Sequence, residues 1–419
     1  MGCDRMKQVR PITIIGGRMV TPEGVAEGSL RLVDGLIEAL GPEVRAKEGD
    51  EIIEARGRLV VPGLVDFGVF AVDKPAFHFG GITRAALMPD QSPPLDYPSR
   101  VGHIAKSGKP DLWVHPLAAA TRSLEGRELA EIALMKEAGA RGVATGRRWI
   151  GDSGVMLRLL QYAAMLDLVV VSHAEDAGLA GEAAATAGEI ATRLGLPAAL
   201  AEAEALAIAR DVALAEMAGA RLHVRQVTTA RGLDLVREAK RRGVAVTCGI
   251  SPAHFMLSDL ATADFRTFTR LSPPLRSEAD RQAARVAIGE GVVDVITSSH
   301  DPCGPEDKRL PFADAAPGMA GAETLLAMTL NLVRDGVIDT ARAFELLAAN
   351  PARLLGVPAG RLEPSLEADI ALVDPDAPWV IDRRRMEATA DNTPFDRQGA
   401  EGRVRMLLKG GVRVGGDTQ

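Results

Sequence analysis

Cysteine is scarce: the 419 residues hold three, Cys3, Cys248 and Cys303. Scattered in this way they exclude a disulfide scaffold and a Cys-based zinc knuckle, and they fit a reducing, cytoplasmic setting. Long apolar runs are missing too. No stretch approaches the roughly 18 uninterrupted apolar residues that a membrane span needs. Met1 to Arg10 is polar, without the apolar centre of a signal peptide. Met1-Gly2-Cys3 is a superficial lipidation start, but position 6 is Met6 rather than Ser or Thr. A membrane association is therefore not expected. Basic charge is not concentrated either: the net charge is −7 without a basic stripe, so no nucleic-acid partner is expected. Asparagine occurs only at Asn331, Asn350 and Asn392, and Arg far outnumbers Lys. That bias fits a GC-rich genome or a hot habitat alike.

What is present is an ordinary globular composition, 47% apolar, long enough for several domains or for one large barrel with an appendage. Residues 10–60 read as short strands with tight turns. Ile12-Thr13-Ile14-Ile15 runs into Gly16-Gly17, and Ser29-Leu30-Arg31-Leu32-Val33 into Asp34-Gly35, a hairpin signal. The last stretch repeats the pattern with Asp369–Val373, Val404–Leu408 and the turn Gly410-Gly411. Neither end can bury a core alone, so one composite β-domain from 1–60 and 360–419 is predicted.

Between them, in 61–359, short apolar runs alternate with amphipathic segments. Strands are predicted at 63–70, 83–87, 112–116, 142–145, 168–173, 221–227, 244–250 and 293–299. Helical segments include 126–138, 203–217 and 232–241. Eight strands alternating with helices predict an α/β fold, a (β/α)₈ barrel. A doubly wound sheet is the alternative, but no G-x-G-x-x-G follows the first strand. Barrel chemistry sits at the C-terminal strand ends. The polar residues there are Asp66, His173, His223, Gln226, Ser298, Ser299, His300 and Asp301.

The first strand, Pro62-Gly63-Leu64-Val65-Asp66, resembles the opening of the amidohydrolase superfamily, in which an His-x-His pair follows and aims two imidazoles at one metal. Gly80-Gly81-Ile82-Thr83 with Met88-Pro89-Asp90 is similar to a dihydroorotase segment. So are Leu271-Ser272-Pro273-Pro274-Leu275-Arg276 and Gly318-Met319-Ala320-Gly321-Ala322-Glu323-Thr324. Asn350-Pro351-Ala352 matches the family's return to the β-domain, and the resemblance runs in order over nearly the whole chain.

The family's chemistry, one or two Zn²⁺ activating a water with a strand-8 Asp moving the proton, falls here on altered residues. The metal-ligand positions correspond to Gly68, Phe70, Arg148 (within about one residue), His173, Gln226 and Ser299. The proton-moving Asp is also Ser299. The substrate-gripping positions correspond to Val72, Asp90, Ser272 and Cys303. Only His173 keeps a metal-binding imidazole. No cofactor is expected, and zinc only if the chain is an active hydrolase with a rearranged site. An arginine, Arg147 or Arg148, is expected to supply the metal's charge and to pair with Asp66 or Asp90. Phe70 is expected to fill the old metal site.

A relocated site would draw on His300, Asp301 and Cys303, with His254 or His223. The blander reading has these groups hydrogen-bonding the barrel rim. His78, His103 and His115 are expected on the surface or in loops, and Asp66 to orient its strand end. The pattern resembles the non-catalytic dihydroorotase homologues of bacteria, as do the local sequences His223–Gly232 and Asn392-Thr393-Pro394-Phe395. The resemblance implies a homo- or hetero-oligomer with aspartate carbamoyltransferase as partner. Two alternatives stand beside it: an active dihydroorotase or related cyclic-amide hydrolase, and a metal-free small-molecule-binding barrel.

Overall fold

The computed structural model describes residues 10–416; Cys3 and the Met1-Gly2-Cys3 start lie outside them. The chain opens with β1 (Ile12–Thr21), β2 (Gly24–Val33), β3 (Leu36–Gly41), β4 (Glu51–Glu54) and β5 (Leu59–Pro62). Barrel strands β6 (Leu64–Val69), β7 (Ile82–Leu87), β8 (Trp113–Ala119), β9 (Gly142–Ala144) and β10 (Val170–Ser172) follow. A two-stranded ribbon, β11 (Ala185–Thr186) with β12 (Ala198–Ala199), interrupts them before β13 (Leu222–Val224), β14 (Val246–Ile250) and β15 (Val295–Ile296). Three strands close the chain: β16 (Ile370–Val380), β17 (Gly399–Lys409) and β18 (Val412–Gly415).

Strands from both termini form one mainly antiparallel sheet in the order β18-β17-β16-β5-β1-β2-β3, with β4 beside β1. Its inner residues, among them Ile14, Leu30, Ile37, Ile370 and Leu408, make a core of their own. Asp34 and Gly35, at φ 51° and 77°, form the predicted turn between β2 and β3. Gly16-Gly17 is a correction. β1 runs straight through it with a register shift, and the reversal comes after Thr21. A side chain at Gly17 would collide with Val60 and Ala55, so this glycine serves close packing rather than a turn.

The eight barrel strands are parallel in the order β6-β7-β8-β9-β10-β13-β14-β15, as the alternation predicted. Val65, Phe67, Ala86, Leu117, Ala144, Val171 and Val295 fill the interior. Leu64, Ala85, Val143 and Val170 face the helices, such as Glu202–Ala218 and Ala230–Arg241. The predicted helix at 126–138 shrinks to Ile132–Glu137. β15 and β6 share no backbone ladder. Instead the Asp66 carboxylate bridges them, accepting from Thr297 Oγ1 (2.9 Å), Ser298 N–H (2.9 Å) and Ser298 Oγ. Above it, Phe70 N–H donates to the His300 carbonyl at 2.8 Å. A buried carboxylate thus replaces the missing strand pairing.

Candidate functional site

The mouth of the barrel is packed shut. Phe70, following β6, is 8% exposed, and its ring lies between two guanidinium groups. Arg147 stacks at 3.8 Å from the ring centre and Arg225 lies at 5.0 Å. Only about 20 Å³ remains between them, Gln226, Ser299 and Asp301, space for about one water.

Arg225 is the cation at the centre. Period-two alternation from His223 puts it on the same, inward strand face, and it is buried completely. Its Nη2 donates to His173 Nδ1 at 3.2 Å. Its stem covers Gly68: a Cβ there would lie 3.6 Å from both Cγ and Cδ of Arg225. Gly68 also has φ +94°, a conformation disfavoured for histidine. Burial, then repulsion from Arg147, lowers the Arg225 pKa to about 10; Asp90, Asp301 and Glu175 work against that shift.

His173 has one ring nitrogen hydrogen-bonded and the other beside a carboxylate. Because Nδ1 accepts from Arg225, Nε2 carries the proton, and it points at Glu175 Oε2, 3.7 Å away. Burial alone would raise the Glu175 carboxyl. His173 and Arg276 outweigh it and hold the group at about 2. Arg276 continues the network to buried Glu204, which accepts from Thr228 and Thr229 N–H at 2.8 and 2.9 Å.

Two of the arginine expectations are corrected. The fourth-strand arginine that lines the mouth cavity is Arg147, not Arg148, which is exposed and lines the neighbouring cleft. Arg147 pairs with neither Asp66 nor the Asp90 carboxylate through its guanidinium. It holds Asp301 through two bonds, at 2.6 and 2.9 Å, while its backbone N–H donates to Asp90 Oδ1 at 2.8 Å. The turn at Gly146, φ +82°, packs against Asp90 and sends consecutive arginines different ways.

The other predicted positions scatter. Gln226 Nε2 donates to Ser299 Oγ, and its Oε1 accepts from Ser251 N–H at 3.0 Å. Val72, 36% exposed, does not line the mouth cavity, whereas Ser272 stands exposed at its rim. Asp66, His223 and His300, expected at the mouth, lie off its cavity. His223 is bonded to Thr247 Oγ1 at 2.9 Å and packed on Phe67; burial drops its pKa to about 3. His300 accepts from Ala322 N–H at 3.4 Å and sits 3.5 Å from Asp73, behind Phe77. Cys303 is tied to Asn392 Oδ1 through its N–H at 3.1 Å, and burial pushes its thiol up to about 11. His254 spans Ser251 and the Pro273 carbonyl. His115 is another correction: it lies buried on β8, not at the surface.

These residues do not fit zinc. Among the described residues no three His, Cys, Asp or Glu side chains converge on a possible metal position. Gly68 and Phe70 offer no side-chain donor atom, and a divalent ion about 4 Å from the Arg225 charge would meet repulsion of about 8 kcal/mol at an effective dielectric of about 20. Beside the plugged mouth, however, a cleft of about 520 Å³ remains, lined by Arg148, Trp149, His173, Glu175, Arg270 and Ser272. The sequence offered one signal for Arg225, the alternation from His223, and none for the role of Glu175.

A family model described as Dihydro-orotase-like matches residues 57–231. A protein named Dihydroorotase from Pelotomaculum thermopropionicum is 39% identical over 97% of both chains. One of the same name from Syntrophus aciditrophicus is 36% identical over 95% of this chain and 97% of its own. Among solved structures, the L-hydantoinase (dihydropyrimidinase) of Arthrobacter aurescens superposes with a TM-score of 0.88 at 24% identity, covering 98% of this chain and 97% of its own.

Proposed function

The chain belongs to the dihydroorotase family, and from that premise we propose that it is a member without dihydroorotase activity, acting as a metal-free structural partner of aspartate carbamoyltransferase in pyrimidine biosynthesis. The observation that carries this reading is Arg225, whose stem covers Gly68 and whose guanidinium occupies Nδ1 of His173. The family reaction needs a cation to activate water and a carboxylate to move its proton. Here the cation is an arginine, which cannot lower the pKa of a bound water as a metal does. The proton-moving position is Ser299, engaged by Gln226. Asp301, the carboxylate that lines the mouth cavity, is neutralised by Arg147. The partnership is implied by the motifs shared with the non-catalytic homologues.

Two measurements test the reading. Size-exclusion of an equimolar mixture with the cognate carbamoyltransferase should give one co-eluting species; independent elution at micromolar concentration would sink the partnership. A dihydroorotate assay with added zinc should give no turnover. Stoichiometric zinc with about 1 s⁻¹ or more would instead establish the hydrolase alternative, which the relatives' names favour. A second reading, a metal-free small-molecule-binding barrel, draws on the 520 Å³ cleft beside His173 and on the exposed Arg148. Saturable binding of a small dicarboxylate that Arg148→Ala abolishes would support it.

A further inference from the structure

A second concavity, of about 670 Å³, lies away from the mouth, where Phe79 of the helix Lys74–Gly80 meets Trp379 of β16 and Arg403 of β17. The triplet Arg383-Arg384-Arg385 forms its rim, a local basic run that the overall charge of −7 conceals. Most of this charge is matched: Arg383 by Asp391 and Asp396, Arg385 by Asp382, Arg397 by Asp396. Among the described residues Arg384 and Arg403 have no carboxylate in ion-pair reach. Arg403 instead lies 5.3 Å from the Phe79 ring and 5.4 Å from the Trp379 ring, which meet edge to face. Ring contact holds a guanidinium in place without neutralising it.

The third element is Glu323, buried in the cleft wall and accepting from Ala388 N–H at 2.9 Å. Burial, and then the negative neighbours Glu387 and Asp73, push its carboxyl up to about 7, so it can donate or accept near neutral pH. Unmatched arginines, an aromatic wall and one buried polar group, in a volume of this size, are the usual ingredients of a small-anion pocket.

We propose that this cleft binds an organic phosphate of the nucleotide class, its phosphates held by Arg384 and Arg403 and its ring against the Trp379 side. The arginine fork matches phosphate oxygens in pairs, and the two free cations share one concavity, which suits a compact polyanion better than an extended acidic chain. The proposal does not depend on what the barrel mouth does.

Calorimetry and tryptophan fluorescence on the full chain test it, with ATP, UTP and pyrophosphate as probes. The expected result is saturable binding of both nucleotides with one site per chain, tighter than pyrophosphate. Arg384→Ala and Arg403→Gln should each weaken it about tenfold. Trp379→Phe should remove most of the fluorescence change while the binding heat persists. No binding of any probe up to on the order of 1 mM would overturn the proposal, as would unchanged affinity in Arg384→Ala. So would displacement of nucleotide by a hexaglutamate peptide at equal concentration, which would assign the cleft to an acidic segment. Arg384 is exposed, so its variant decides even if Arg403→Gln fails to fold.

Discussion

Nη2 of Arg225 donates to Nδ1 of His173 across 3.2 Å, and among the described residues Nε and Nη1 of the same guanidinium have no hydrogen-bond partner. A charged side chain buried with so few partners is costly to keep. Its position explains why the mouth is closed: the stem lies on Gly68, the head beside Phe70 and His173.

Arg225→Met should therefore stabilise the fold by about 1–3 kcal/mol, since a buried charge with one hydrogen bond gives way to a flexible apolar chain of similar reach. A urea titration measures it. A drop in the midpoint would mean that Asp90, Asp301 and Glu175 depend on this cation more than its burial costs.

Asp66→Ala should cost about 3–5 kcal/mol, because Thr297 Oγ1, Ser298 N–H and Ser298 Oγ would lose their common acceptor at the β15–β6 seam. Asp66→Asn keeps one acceptor oxygen and should cost less. Hydrogen exchange of the Ser298 amide reads the seam directly; unchanged protection in Asp66→Ala would refute this role.

Stability should fall steeply with mild acid. Burial lowers the pKa of His115 and His223 to about 3 and of His254 to about 4, below their ordinary value of 6.5. Below 6.5 the unfolded chain binds protons that the folded chain refuses. The stability present above 6.5 is thus lost as pH falls toward 4 and then 3, by up to about 1.4 kcal/mol per pH unit for each histidine. His223→Phe should flatten the slope between pH 6 and 4.5 by about one proton equivalent. An unchanged slope would place His223 in a more solvated setting.

Chelation should leave the fold untouched. With EDTA or with excess zinc, the thermal midpoint should move by less than about 1 °C, as the proposed metal-free reading requires. Gly68→His with Phe70→His should lose stability, about 1–3 kcal/mol from the φ +94° position alone. Equilibrium dialysis should find no zinc gained while Arg225 remains; stoichiometric zinc in that variant would show that Arg225 swings aside.

The sequence by itself determined the barrel, because strand and helix periods alternate through 61–359 and the strand interiors must be apolar. It determined the composite terminal sheet, since neither end can bury a core alone. It also determined what Gly68 and Phe70 cannot do, because neither side chain carries a donor atom for zinc. Only the tertiary structure decided which arginine is buried in the barrel mouth. Arg147, Arg148 and Arg225 are chemically alike, and each side chain is long enough to reach several places. Their directions are set by the backbone at Gly146, φ +82°, and by the inward alternation from His223. The structure likewise decided that Asp66 closes a seam between β6 and β15, residues 231 apart in sequence at the Thr297 contact. Local pattern carries no record of such distances; packing sets them.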